Sequence, residues 1–522
     1  MSKSVVDPVR LEVFHHLTSA FCEEAGTRLM QSAASPNIRE RRDFSVAMFD
    51  GDGRLIAQAA HIPVHLGSAG DSVAAARASI DFRPGDVAIL NDPYAGGTHL
   101  PDITMVRPVF DPGGRRVRWF LVNRAHHADV GGSAPGSMGI AADLIAEGLV
   151  LPPVLLRRRG ELQQDLLAVF AKNVRGAAER LLDLRAQEAS LQQLEARLVA
   201  HADEVGFAAM QQASQALLDY SERAGRAVLR RIGRGPFLAS DELEDDGLGS
   251  GPLRLALRLE RRGGKLVFDW RGTCPQARGG VNCNRGIVLA ASVYALRTIC
   301  PDRLPTNAGL FRLLEIVTAK GTLVDPLPPA PVAGGNVETS QRLVDVAFAA
   351  LQQALPEVVP ASSAGTMSNL TFGGRAVGGE QFSTYETLPG GAGASPRRAG
   401  RAAIQTHMTN TRNTPIEEFE HRYPLRVREL TVRRGSGGKG ARSGGDGLRK
   451  VVEALAPVTV TFLGERHASG PPGAAGGGPG RPGRLERTRG GGRQRLPGKA
   501  AFELEPGDAV IVETPGGGAH GA

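Results

Sequence analysis

Cysteine is scarce. Only Cys22, Cys274, Cys283 and Cys300 occur in 522 residues, and no two are spaced Cys-x-x-Cys. That excludes a thiolate zinc knuckle and a disulfide framework as organising devices, and it fits a reducing, cytoplasmic setting. Aromatic residues make up only 5% of the chain. The Arg/Gly tract from Arg481 to Arg495 contains none, so it lacks the rings on which a nucleic-acid binder stacks bases. No apolar run is long enough to span a bilayer, and the opening MSKSVVDPVRLEVFHH has no apolar signal core. A P-loop is also missing. Lys439 stands among glycines in Gly435 to Gly440, but Gly440-Ala441 occupies the place where Ser or Thr would hold magnesium. There is no internal repeat.

Glycine and proline are abundant, at 67 and 34 residues. The net charge of +8 comes mostly from arginines scattered among Ala, Gly and Leu. Such a charge suits an acidic or phosphate-bearing partner, or simply reflects base composition. The length and the 41% hydrophobic content predict two to four domains with ordinary cores.

Periodicity predicts a mixed α/β (α+β) multidomain fold. Residues 1–159 read as an α/β region with a candidate metal site. It opens with a helix over Val9 to Gln31, where Leu11, Phe14, Leu17 and Phe21 share a face. A hairpin follows, Phe44 to Phe49 turning at Asp50-Gly51-Asp52-Gly53, then a helix over Asp71 to Ile80 and a buried strand over Val87 to Leu90. Residues 160–235 read as a long helical pair for packing or oligomerisation, with Leu184, Leu191, Leu194 and Leu198 on one face. Residues 236–422 read as an α/β region with Gly-rich loops. It contains strands in Leu253 to Phe268, a buried helix over Ile287 to Leu296 and another helix over Thr339 to Ala354. Residues 423–522 read as a β-rich region, with a low-complexity loop over 470–499 and a strand near Asp508 to Val512.

Chemistry concentrates after two apolar strands. GDVAILNDPYAGGTHLPD, from Gly85 to Asp102, carries Asp92, His99 and Asp102. Asn123 to Gly132, NRAHHADVGG, carries His126, His127 and Asp129. Two strand ends that each spill His and Asp into a loop can face one another and hold a divalent metal. Imidazole with carboxylate suits Zn, Mn or Fe. Asp92 before Pro93 also reads as a turn former. His127 and Asp129 are candidates for catalysis through the outer shell of the site, a carboxylate there fixing the tautomer of a ligand imidazole. His61 and His65 flank Pro63-Val64 in an extended segment and either share a face or simply pack. Glu338 and Thr339 read equally as a helix start or as a substrate pocket. Gly390 to Gly393 is a turn or an anion nest, and Asn410 with Arg412 and Asn413 is a substrate contact or a solvated loop.

Longer motifs bind these pieces together: ERRDFS at Glu40 to Ser45, HIPVHLG at His61 to Gly67, NDPYAGGTHLPD at Asn91 to Asp102 and NRAHHADVGG at Asn123 to Gly132. PGSM at Pro135 to Met138, Glu147-Gly148, GGNVETSQR at Gly334 to Arg342, HMTNTRNTPIE at His407 to Glu417, GGDGL at Gly444 to Leu448 and ETPGGG at Glu513 to Gly518 follow. Here the sequence resembles the B-type chain of the hydantoinase/5-oxoprolinase family. The 470–499 loop is more degenerate than the family pattern, and the chain stops sooner after PGGG than family members usually do. The resemblance implies a mononuclear metal held by Asp43, His99, Asp102 and His126, although Asp129 could take the place of Asp43. Independently of the resemblance, His65, Glu338, Thr339, Gly391 and Asn410 are candidate substrate contacts. The resemblance also implies an A-type partner subunit, in a heterodimer or heterotetramer, that binds ATP with Mg and phosphorylates the carbonyl oxygen of a small cyclic amide. Metal-bound hydroxide in this chain would then open the ring. The alternatives are a subunit of an acetone-type carboxylase and, more remotely, an Arg/Gly-rich nucleic-acid-binding protein. No membrane or nucleic-acid partner is expected.

Overall fold

The computed structural model describes residues 7–522 except Ala60, Leu66, Ala376 and Val377. The expected segment His61 to Gly67 therefore includes one position, Leu66, outside the described residues.

The N-terminal unit is built on an antiparallel sheet of seven strands in the order β2-β1-β5-β4-β3-β6-β7. Its strands are β1 Phe44–Asp50, β2 Leu55–Ala59, β3 Val87–Leu90, β4 Asp102–Phe110, β5 Val117–His126, β6 Val154–Arg158 and β7 Glu161–Leu162. The helix Pro8–Ser32 begins with Asp7 accepting from the Val9 N–H and Pro8 at its first position, a favourable helix start. It lies against the sheet beside the long helix Ala177–Val205. Phe14, Phe21 and Leu29 from the first helix, Val46, Met105 and Leu121 from the sheet, and Leu184, Leu191, Leu194 and Leu198 from the second share one core. The expected helical pair, Ala177–Val205 and Phe207–Leu229, is present. It packs onto the N-terminal sheet within that shared core.

A second sheet, with β8 Phe237–Leu243, β9 Leu253–Arg262, β10 Lys265–Asp269 and β11 Leu314–Val317, packs with the helices Arg285–Thr298 and Ser340–Ala354. Ile62, Val64 and Met138 reach into this core, so it touches the N-terminal unit directly. Gly335–Thr339 forms one π-helical turn ahead of Ser340–Ala354, so Thr339 is not a side-chain cap. The C-terminal half adds a four-stranded sheet, β13-β12-β16-β19, and a five-stranded one, β14-β15-β20-β17-β18. Their strands are β12 Asn369–Arg375, β13 Gln381–Thr387, β14 Leu425–Arg433, β15 Gly447–Ala454, β16 Val458–Leu463, β17 Arg484–Arg489, β18 Gly492–Leu496, β19 Lys499–Leu504 and β20 Ala509–Glu513.

The expected low-complexity loop over 470–499 is corrected here. It holds β17 and β18, and its glycines between Gly470 and Gly480 belong to a bundle of extended segments. Gly391 N–H donates to Pro515, Gly445 to Ala392, Gly517 to Gly445, Gly438 to Gly517 and Gly478 to Lys439, each at 2.8–3.0 Å. The backbones lie so close that side chains do not fit. A Cβ on Gly445 would sit 1.9 Å from the Arg401 carbonyl oxygen, and one on Gly391 2.0 Å from that of Gly445. Composition that reads as disorder is here the condition for close backbone contact.

Gly445→Ala should therefore cost about 2–3 kcal/mol by overpacking. Gly378→Ala, where a Cβ meets nothing within 4 Å, should stay within about 0.5 kcal/mol. Thermal and urea unfolding midpoints check both.

Candidate metal centre

The register of the central sheet builds the site. β4 and β5 pair antiparallel with Asp102 opposite His126, at the end where β4 begins and β5 stops. The loop entering β4 brings His99 alongside. Asn91 fixes that loop by donating to the Leu100 and Leu149 carbonyls and accepting from Leu151 N–H. Asn284, at the start of a helix in the second unit, donates to the Pro93, Gly97 and Thr98 carbonyls. The loop turns so tightly that a Cβ on Gly97 would lie 2.2 Å from the Asn91 carbonyl oxygen. Asp92 accepts from Tyr94 N–H and is a turn former.

His99, Asp102 and His126 each offer a donor atom, all within 4.8 Å of one another. Their exposures are 0%, 1% and 3%. Among the described residues, both nitrogens of His99, Oδ1 of Asp102 and Nε2 of His126 have no hydrogen-bond partner. Buried polar atoms are almost always satisfied, so three residues that each carry an unsatisfied ligand-type atom and can offer one atom apiece within 4.8 Å of the others fit a cation. Asp102 Oδ2 is fixed by the Thr98 hydroxyl at 2.7 Å, with His99 Nε2 and His65 Nε2 each 3.4 Å away. Burial pushes the Asp102 carboxyl up, but the imidazoles of His99 and His65 outweigh it and hold it well below the usual carboxylate range. Burial, and then His99, push His126 well below the usual imidazole range. A carboxylate beside a neutral imidazole is the ligand-competent pair of forms.

Asp43, the fourth expected ligand, lies beside this group and outside the three-donor set. Its carbonyl accepts the His126 N–H, and its carboxylate stands 3.7 Å from the Arg41 guanidinium. Burial raises its pKa against the pull of Arg41. The outer-shell assignment of His127 and Asp129 is corrected. His127 follows His126 in extended chain and so faces the other way, towards Gln187 Oε1 at 2.9 Å and the Phe170 ring. Among the described residues, no hydrogen bond or ion pair joins Asp129 to a histidine. Asp129 accepts from the Gly131, Gly136 and Arg175 N–H groups and pairs with the Arg175 guanidinium, clasping a loop. His61 and His65 do not share a face either, because Pro63–His65 is a 3-10 turn. His65 turns inward to Ser45 and Asp102, whereas His61 packs on Phe44.

Sequence patterns gave no sign of Tyr385 or Asn37, and Thr98 was visible only as a member of the NDPYAGGTHLPD motif. Tyr385 stacks flat on His126, with ring centroids 4.8 Å apart and planes 9° apart. Asn37 sits 3.3 Å from His126 Nδ1. Arg41 lies over the Tyr385 ring at 4.7 Å and donates to the Tyr385 carbonyl. Its place two residues before Asp43 is the only sequence signal that would have found it. The Tyr385 hydroxyl donates to Asn369, whose carboxamide donates to Glu338. The expected substrate contacts Glu338, Thr339 and Gly391 are all buried. Glu338 belongs to this chain of bonds, Thr339 donates to the Val281 carbonyl, and Gly391 lies inside the glycine bundle. Asn410 is exposed.

The sequence profile described as hydantoinase B/oxoprolinase matches residues 7–522, nearly the whole chain. The chain belongs to the hydantoinase B/oxoprolinase family. Among its relatives, an uncharacterised protein of Methanocaldococcus jannaschii is 39% identical over 99% of this chain and 91% of its own length. The 5-oxoprolinase 1 of Arabidopsis thaliana is 35% identical over 100% of this chain, which spans 42% of that protein. A Pseudomonas protein, named as the putative B-type chain of a D-/L-hydantoinase, is 30% identical over 89% of this chain and 81% of its own. Among solved structures, the ATP-dependent caprolactamase of Pseudomonas jessenii aligns with a TM-score of 0.91 at 27% identity, covering 99% of this chain and 92% of that one. A nucleotide-free acetone carboxylase aligns at 0.88 and 18% identity over 99% and 76%, a likeness of fold. The mixed α/β architecture expected from the sequence is thus the architecture of this hydantoinase B/oxoprolinase fold. Among the described residues no helix is long and apolar enough to cross a membrane.

His99→Ala and His126→Ala should abolish binding of a divalent metal, whereas His127→Ala should keep it; elemental analysis after dialysis decides. Glu338 gives a pH prediction. Burial raises its pKa to about 7, so the folded state favours the neutral acid, and its contribution is full below the unfolded pKa and fades as pH rises towards 7. Glu338→Gln should therefore gain stability relative to wild type at pH 8 compared with pH 5, read by paired unfolding curves.

Proposed function

We propose that this chain is the metal-bearing B-type component of an ATP-dependent hydrolase that opens cyclic amides. Its substrate is a lactam or imide whose carbonyl oxygen an A-type partner subunit phosphorylates. The observation that carries this reading is the buried set His99, Asp102 and His126, three donor groups on adjoining segments with unsatisfied atoms turned to one point. A zinc, manganese or iron ion bound there supplies Lewis acidity and a water nucleophile at neutral pH.

The chain's own residues do the rest. Thr98 holds one oxygen of Asp102 so that the other is free to face the cation. The Tyr385 ring fixes the plane of His126, and Arg41 keeps Tyr385 and Asp43 in place. Burial of the whole set excludes bulk water and strengthens each charge interaction inside.

The division of labour has its own support. The chain spans only 42% of the plant 5-oxoprolinase, leaving more than half of that protein for other tasks, and the Pseudomonas hydantoinase relative is named as one component of a multi-chain enzyme. The one lysine-in-glycine segment of this chain, Gly435 to Gly440, is packed into the glycine bundle through Gly438. ATP with magnesium therefore belongs to the partner, in a heterodimer or heterotetramer. We place the complex in the cytoplasm, where the unbridged cysteines stay reduced. The carboxylase alternative rests on likeness of fold alone.

Co-purification with the A-type subunit and an ATP-dependent ring-opening assay on hydantoins and lactams test this. His99→Ala should lower turnover at least about 100-fold while nucleotide binding by the partner survives. Full activity in that variant would remove the metal mechanism.

A further inference from the structure

Two arginines are buried against the candidate metal centre, and they differ in how far their donors are used. Arg124, two residues before His126 on β5, spends Nε on the Thr104 hydroxyl, Nη1 on that of Ser68 and Nη2 on that of Ser72. Each of its nitrogens has a partner. Arg41 is also buried, at 0% exposure. Its Nη1 donates to Asn37 Oδ1 at 3.2 Å and to the Tyr385 carbonyl at 2.6 Å. Among the described residues, its Nε and Nη2 have no hydrogen-bond partner. A guanidinium carries five N–H donors, so three are left over where bulk water does not reach. Asp43 Oδ2 stands 3.7 Å from Nη2, too far for a hydrogen bond. Nε and Nη2 are neighbours on one edge of the planar group, and such an edge grips two oxygens of a single carboxylate or phosphate.

The rest of the guanidinium is fixed to the ligand set. Asn37, which takes one Nη1 N–H, sits 3.3 Å from His126 Nδ1. The Tyr385 ring beneath Arg41, 4.7 Å away, lies flat on the His126 ring. Asp43, on the Nη2 side, is within electrostatic reach of Asp102, His65 and His99. The spare edge is therefore preorganised beside the point where His99, Asp102 and His126 converge.

Charge points the same way. The two guanidinium groups, Arg41 and Arg124, face two carboxylates, Asp43 and Asp102. Asp71, near Arg124, has Arg285 as its stronger partner. A divalent ion held by His99, Asp102 and His126 would leave two positive charges unanswered in a buried place, which is costly. A bare lactam or imide is neutral and does not answer them. A phosphoryl group carries close to two negative charges at neutral pH and three acceptor oxygens.

We propose that the free Nε/Nη2 edge of Arg41 binds two oxygens of the phosphoryl group on the activated amide, so that this chain's metal centre receives the phosphorylated substrate and not the bare ring. This rests on the cyclic-amide reading of the chain.

The test titrates inorganic phosphate into the zinc-loaded full chain by calorimetry. The wild type should bind it. Arg41→Met, with zinc content at the wild-type level by elemental analysis, should bind at least about tenfold more weakly. Arg41→Lys keeps the charge but not the two-donor edge; it should bind at least about threefold more weakly, and it decides the matter if Arg41→Met does not hold zinc. Exchanging the exposed Arg115 and Arg116 for Gln should leave the affinity unchanged. In the complex with the A-type subunit, Arg41→Lys should lower ring opening at least about tenfold while ATP consumption continues. No phosphate binding by the wild type, equal binding by the Arg41 variants, or loss on exchanging Arg115 and Arg116 overturns the proposal, as does full ring opening in Arg41→Lys. If the wild-type complex opens no cyclic amide, the hydrolase reading fails, and the phosphate titration still decides Arg41.

Discussion

The site depends on one pairing, Asp102 opposite His126 in the antiparallel ladder of β4 and β5. Side chains alternate along a strand, so slipping this register by one residue would turn His126 away and bring His127 in. The register is held by what flanks it. Val106 pairs with Val122 and Met105 with Asn123; Met105 and Val122 are buried in separate cores on the two faces. Asn123 in turn donates to the Gln187 carbonyl of the long helix. The same packing that makes the sheet therefore commits a carboxylate and an imidazole to one buried point, where the surrounding protein leaves their donor atoms unmatched.

A second constraint comes from the other end of the chain. Four glycine-rich stretches, near 390–400, 437–447, 470–480 and 514–521, hydrogen-bond to one another at spacings that leave no room for side chains. This bundle is tied to the 405–410 segment through Gly390, whose carbonyl accepts the Ile404 N–H. That segment lines a cavity at the His61–Pro63 turn. Glycine content here fixes the position of a wall.

Much of this was legible in the sequence. The helix Pro8–Ser32 follows from apolar spacing because it buries one face, the strand Val87–Leu90 is a short apolar run buried on both faces, and the helix Ser340–Ala354 is buried nearly all round. The conjunction of His99, Asp102 and His126 was visible because strand ends with polar loops are local features. Other features needed tertiary information. Tyr385 reaches His126 from a strand in a different sheet, and no local pattern announces it. His127 and His126 are indistinguishable as residue types, and only the strand's alternation separates a metal-facing ring from one that packs on Phe170. The 470–499 segment misled because several of its glycines, among them Gly477, Gly478 and Gly480, pack against stretches far away in sequence.

The account stands on a single ion between three side chains. Anomalous diffraction from crystals of the metal-loaded protein tests this most directly. One peak should lie within about 2.0–2.2 Å of an imidazole nitrogen of His99, one of His126 and a carboxylate oxygen of Asp102. A peak elsewhere, or none at that point in protein shown to be metal-replete, would contradict it.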